Sequence, residues 1–183
     1  MGHRIFHFSE DGTITRFDPR PVAIPTTRRP GEEWLNGPLV WAVVEERQAT
    51  YLFPRECPRI VMWRREVSSH SDVARWLGDT DAACVTFIER EWLDPVSTGS
   101  LYRYELPTTD FEPTSDGWMW VSRSAAVPLK RSLISDLPGA LVVAGAELRV
   151  VERPTDYREA WTSKLHVSGI RLRNARGWTE SAQ

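Results

Sequence analysis

The run Leu39-Val40-Trp41-Ala42-Val43-Val44 constrains this chain more than any other stretch. It is near-continuously apolar but of strand length, so it predicts a central strand of a sheet. A central strand needs neighbours, and the chain offers several. Arg4-Ile5-Phe6-His7-Phe8-Ser9-Glu10 reads as the first strand. A period of two puts Ile5, His7 and Ser9 on one of its faces and Phe6 and Phe8 on the other. Arg59-Ile60-Val61-Met62-Trp63, Leu101-Tyr102-Arg103-Tyr104-Glu105-Leu106, residues 118–123, Glu147-Leu148-Arg149-Val150-Val151 and residues 166–173 read as further strands.

Helices are short and unevenly placed between these strands. Residues 45–53 predict two helical turns stopped by Pro54, and Ser71 or Asp72 caps a helix through Leu77 that Gly78 ends. Asp81 starts a longer one, in which Val85, Ile88 and Trp92 form a buried stripe up to Pro95. Asp136 caps a helix from Leu137 to Ala144, and Thr155 or Asp156 caps a last one through Ser163. Residues 18–37, with Pro19, Pro21, Pro25 and Pro30, predict a long surface loop. This is not the alternation of a Rossmann fold, and no glycine-rich phosphate loop is present. The expectation is an α+β fold: a single domain over residues 1–178, a curved and mostly antiparallel sheet with short helices, and a frayed tail over 179–183.

Charge narrows the function classes. With 23 basic and 25 acidic residues the chain is nearly balanced, which argues against a generic nucleic-acid or membrane-surface binder. No apolar run approaches the roughly 20 residues of a membrane span. The N-terminus lacks a secretory apolar segment, and Cys57 and Cys84 form no metal spacing. Two cysteines without a pairing motif suit a reducing, cytoplasmic setting, with a single disulfide between them as the alternative.

The blocks His7-Phe8-Ser9-Glu10-Asp11, Asn36-Gly37-Pro38-Leu39-Val40-Trp41-Ala42, Tyr51-Leu52-Phe53-Pro54-Arg55, Leu101-Tyr102-Arg103-Tyr104-Glu105-Leu106 and Ser168-Gly169-Ile170-Arg171-Leu172-Arg173-Asn174 resemble an uncharacterised family of bacterial proteins. More distantly, their order is similar to the NAD-using ADP-ribosyltransferase superfamily, in particular to its compact members acting on rifamycins or on RNA 2′-phosphates. Those open with His-Gly-Thr on a strand, where this chain has His7-Phe8-Ser9. The resemblance implies an ADP-ribosyltransferase-like fold and a place for NAD. His7 would hold a ribose hydroxyl, the backbone of Phe8 the carboxamide, with Ser9 beside it, and Trp41 would stack on the nicotinamide. Either Glu112 or Asp116 would be the acid. Phe8 replaces the family's glycine, Trp41 its usual tyrosine, and no Glu-x-Glu is present. The plain alternative makes Phe6 and Phe8 core anchors, His7 an edge cap, Trp41 core and Glu112 a solvated loop residue.

A second pattern competes. His7-Phe8-Ser9 is echoed by His166-Val167-Ser168, which resembles the two-histidine phosphoesterases and predicts that the two histidines lie on neighbouring strands. Arg171, Arg173 and Arg176 near Trp178 form a further basic cluster, suited to clamping phosphates or to a solvated strand face. A metal held by His7, His166 and Glu10 lacks ligand spacing.

The leading expectation is a protein that binds NAD or another nucleotide and is an ADP-ribosyltransferase with an unknown acceptor. Its rival is a non-catalytic ligand-binding or interaction domain on the same fold. The expected partner is a small-molecule or nucleotide ligand, with nucleic acid not favoured and no membrane. Two placements follow: His7 and Trp41 share one pocket, and the loop of residues 18–37 borders it.

Overall fold

The computed structural model describes residues 2–179, in which ten strands form. They are β1 (Ile5–Ser9), β2 (Val40–Val44), β3 (Arg59–Trp63), β4 (Cys84–Glu89), β5 (Leu101–Leu106), β6 (Glu112–Pro113), β7 (Met119–Ser122), β8 (Lys130–Ile134), β9 (Ala146–Val151) and β10 (His166–Ile170). The helical pieces are short: α1 (His70–Asp72), α2 (Leu93–Thr98), α3 (Leu137–Val143) and several 3-10 turns. The architecture is α+β, and the chain gathers into two compact units. One holds the residues up to Gln48 with Leu101–Ile134, the other Ala49–Ser100 with the residues from Ser135 onward. The single sheet expected from the sequence is therefore two sheets, of six and four strands.

In the first unit the order is β6-β7-β2-β1-β5-β8, and every pair is antiparallel. The apolar run of β2 is central, as its composition dictates. Alternation gives each face its own core. Ile5, Val40, Ala42, Val44, Tyr104 and Leu106 pack on one face, closed by Phe17, Phe111 and Ala126. Trp41 and Val121 pack on the other against Leu35 and Leu39. Fully burying a residue such as Ile5 stabilises by about 1.5–3 kcal/mol. The loop over residues 18–37 is tied down by an Arg20–Leu39 bridge and a 3-10 turn, Glu33–Asn36. The edge strand β8 was hidden in what the sequence presents as an extended connection after Val127-Pro128-Leu129.

The second unit has the order β10-β3-β4-β9, with β4 and β9 parallel. Here the sequence misleads: the helix expected from Asp81 to Pro95 is a strand in its central part, and helical backbone begins only at Arg90, with Pro95 inside α2. Cys84–Glu89 is a strand, buried at every position and flanked on both sides. A strand covered on both faces loses its period of two, so the spacing of Val85 and Ile88 imitates a helical stripe. One core face joins Ile60, Met62, Val85 and Phe87 to Trp76, Leu77, Ala160 and Leu165.

Smaller corrections have local causes. Ser69, rather than Ser71 or Asp72, caps α1, its Oγ accepting from the Asp72 N–H at 3.1 Å. Asp136 caps α3 as expected, accepting from the Gly139 N–H at 2.9 Å. The last helix is a 3-10 stretch, Pro154–Thr162. The final strand stops at Ile170, because Arg171 turns into left-handed backbone with φ 55°. His7 lies in β1 and His166 in β10, strands of different sheets, so the two His-x-Ser motifs are not on neighbouring strands. Of the tail expected over 179–183, residues 180–183 lie outside the described residues.

Candidate functional site

The block His7-Phe8-Ser9-Glu10-Asp11 folds as a strand end running into a built turn. Ser9 Oγ accepts from the Asp11 N–H at 3.1 Å. Asp11 Oδ1 accepts from the Thr13 N–H at 2.7 Å and the Thr13 hydroxyl at 2.6 Å, and these bonds hold its carboxyl below the usual range. The Tyr104 hydroxyl donates to the Asp11 carbonyl at 2.7 Å, and Arg131 donates to the Gly12 carbonyl. Gly12 is required: a Cβ there would stand 2.4 Å from the Tyr102 ring. Ser9 therefore forms the turn, as short hydroxyl residues commonly do.

His7 has a definite task. β1 and β2 pair through Ile5–Val44 and Phe6–Val43. One step further, the His7 imidazole donates through Nδ1–H to the Trp41 carbonyl at 2.8 Å. A carbonyl only accepts, so this bond fixes the proton on Nδ1. The ring packs against Phe17, centroids 4.6 Å apart, on the face of Ile5 and Tyr104.

Trp41 points the other way. It pairs with Val121 across β2 and β7, and its indole joins Leu35, Leu39 and Val121. His7 meets the backbone of Trp41, while the imidazole and the indole occupy opposite faces of the sheet. The structure thus does not bring the two rings into one pocket. The loop over residues 18–37 goes with the indole: the Arg28 guanidinium lies 5.7 Å from the Trp41 ring centroid. Asn36 holds this loop, donating to the Thr26 carbonyl at 2.8 Å and accepting from Arg28 Nε at 3.2 Å. Among the described residues the buried Trp41 Nε1 has no hydrogen-bond partner. Phe8 alternates onto the indole's face, and Ser9 onto the imidazole's.

The two candidate acids separate. Asp116 Oδ1 accepts from the Trp118 and Met119 N–H groups, both at 3.1 Å, and from the Thr114 hydroxyl at 2.7 Å. It closes the turn between β6 and β7. Glu112 stands opposite Val121, which stands opposite Trp41, so Glu112 shares the indole's face two strands away, about 10 Å. It pairs with Arg123, whose guanidinium covers the half-exposed Trp34 at 4.2 Å. The resulting surface, Trp41–Arg28 beside Trp34–Arg123–Glu112, offers aromatic faces, two cations and one carboxylate. Sequence reasoning missed Arg28, Trp34 and Arg123, because only the fold of the loop and the end of β7 bring them to Trp41.

In the second unit, Cys57 and Cys84 are buried and are not joined in a disulfide. Burial pushes the Cys57 thiol up to about 12, which leaves it protonated and unreactive at neutral pH. His166 stacks on Trp63, centroids 3.6 Å apart and nearly parallel. An open groove of about 520 Å³ runs past Trp76, Tyr157, Arg75 and Arg153, whose arginines pair with Glu159 and Asp156. It contains none of the residues the sequence pointed to. Among the described residues no cluster of His, Cys, Asp and Glu is placed to hold a metal, and no helix is long and apolar enough to cross a membrane.

The model of a family of unknown function, DUF6886, matches residues 6–175, and the chain belongs to that family. No curated protein and no solved structure matches it.

Proposed function

We propose that this member of the DUF6886 family binds NAD or a related nucleotide on the Trp41 face of its first sheet. The observation that carries the reading is the Trp41–Arg28 pair: an indole face beside a guanidinium, with a buried indole N–H lacking an acceptor. A flat heterocycle gains from an aromatic face, and phosphates gain from a guanidinium fork. Trp34 and Arg123 repeat the same combination next to it. His7 enters as a positioning residue, holding the Trp41 carbonyl from the opposite face.

Calorimetry of the full chain against NAD and ADP-ribose tests the reading. Stacking on one ring is worth about 1–3 kcal/mol, so Trp41→Leu should weaken binding roughly 5- to 150-fold while circular dichroism stays native. Arg28→Ala, on the surface loop, should weaken it in the same direction with less risk to the core. No binding by the wild-type chain, or equal affinity in both variants, removes the site.

Catalytic transfer of ADP-ribose is the second reading, favoured by one observation: Glu112 shares the face of Trp41. In it, Glu112 would stabilise the ribosyl cation and Arg123 would orient the carboxylate. Nicotinamide release from NAD is its readout. Release abolished by Glu112→Gln supports transfer, and wild-type binding without release leaves a non-catalytic nucleotide-binding domain. The two-histidine phosphoesterase reading came with the expectation that its histidines lie on neighbouring strands, and His7 and His166 lie in different sheets.

A further inference from the structure

Arg59 opens β3 and is 3% exposed. Its Nε donates to the Thr50 carbonyl at 2.9 Å and its Nη1 to the Cys57 carbonyl at 2.8 Å. The guanidinium lies over the rings of Phe53 and Tyr51, at 5.0 and 5.8 Å. These contacts staple residues 50–57 but neutralise nothing. Among the described residues no carboxylate forms an ion pair with Arg59; the titratable groups around it are the Cys57 thiol, the Tyr51 phenol and a second cation, Arg171, with the buried Glu89 beyond Cys57. Burial pulls its pKa from 12.5 down to about 10, so it is still charged at neutral pH. Buried charges are ordinarily paired, because an isolated one forfeits its hydration.

The chain brings further positive charge to the same end of the sheet. Ile170, the last residue of β10, stands opposite Arg59. The next residue, Arg171, is the one non-glycine of the described residues with positive φ. Its Nε approaches the Arg55 carbonyl at 3.3 Å and Glu56 Oε1 at 3.4 Å. Arg173 reaches the same carboxylate at 3.2 Å, and Asn174 donates to it at 3.0 Å. The Asn174 bond first, and the arginines after it, hold the Glu56 carboxyl below its usual range. Arg171 and Arg173 thus share the Glu56 carboxylate, and Arg59 takes no part in that pairing.

We propose that the second unit binds a phosphate group between Arg59 and Arg171, the oxyanion supplying the counter-charge that the buried guanidinium lacks. Arg59 presents a guanidinium already fixed by two carbonyls and two rings, so little freedom is lost on binding. Arg171, held through Nε, directs the rest of its fork toward the anion. The site lies on residues other than those of the nucleotide reading and stands without it.

The test is thermal unfolding of the full chain in orthophosphate against sodium chloride at equal ionic strength, with glycerol phosphate as a second arm. Orthophosphate at millimolar concentration should raise Tm by about 2 °C or more over the chloride control. Arg171→Gln should lose the shift, and Arg173→Gln, which reaches only Glu56, should keep it. Stabilisation by orthophosphate assigns a free-ion site, and stabilisation by glycerol phosphate alone assigns a site for an ester. If Arg171→Gln does not fold, Arg171→Lys, which keeps the charge but not the fork, should weaken phosphate at least tenfold. No shift in the wild-type chain with either ligand, or an undiminished shift in the folded Arg171 variant, overturns the proposal.

Discussion

At the rim of the first sheet, half-exposed Arg4 spans two carboxylates, Glu45 at 2.6 Å and Glu105 at 2.9 Å. In the second sheet, Arg59 is enclosed with two carbonyls and two rings. Glu89, 3% exposed, accepts from the Arg176 N–H at 3.0 Å. The first region keeps its charges in water and pairs them; the second has such exposed pairs too, but it also buries Arg59 and Glu89 and ties them to backbone. Exposed pairs contribute little because solvent screens both partners. Buried ones matter because removing one side strands the other. Charge in the first unit therefore decorates a fold that apolar alternation already specifies, while charge in the second fixes the path of a loop.

The largest effect expected is that of Arg59→Ala, which leaves the Thr50 and Cys57 carbonyls without a donor. Urea unfolding should show a loss of about 2–4 kcal/mol; a loss below about 1 would erase the contrast between the sheets. The two histidines sharpen it at intermediate scale. His166→Ala removes a stacked pair and should cost about 0.5–1.5 kcal/mol. His7→Ala removes one hydrogen bond to the Trp41 carbonyl and should cost about 0.5–1.5 kcal/mol. Only His7→Ala should also disturb the amide signals of β2, read by two-dimensional NMR, since its bond ends on that strand. The smallest effect is that of Arg123→Ala at the rim, below about 1 kcal/mol in the same urea experiment.

Part of the first sheet was legible because β5 is covered unequally, whereas β2 is buried on both faces and shows only as an apolar run of strand length. β1, β2 and β5 announce themselves by alternation or by an apolar run, and the faces of β1 follow directly. The relation of His7 to Trp41 was not legible. It depends on register, and the long proline-rich loop between the strands leaves register unspecified. Asp116 carried a usable signal: Thr114-Ser115-Asp116-Gly117 is turn chemistry, and Gly117 adopts φ 75°. A carboxylate in such a turn is spoken for by backbone N–H groups. β4 was illegible for the opposite reason, since covering both of its faces removed the alternation that identifies a strand. Arg59 gave no warning. A charged residue opening a strand ordinarily reads as an exposed end.

The parallel pairing of β4 with β9 has a consequence during synthesis. β4 is complete at Glu89, but its partner, from Ala146 onward, follows about 60 residues later. At roughly 5–20 residues per second, the ribosome leaves that side of β4 without a neighbour for roughly 3–12 s. In that interval all of the first unit's second segment, Leu101–Ile134, is made, so the six-stranded sheet has time to close before the four-stranded one. A nascent chain stalled between residues 100 and 145 would present an apolar strand with an open edge, the form of intermediate that chaperones capture and that aggregates when they do not. Synonymous codon changes that slow this stretch should lower the soluble yield without altering a single side chain.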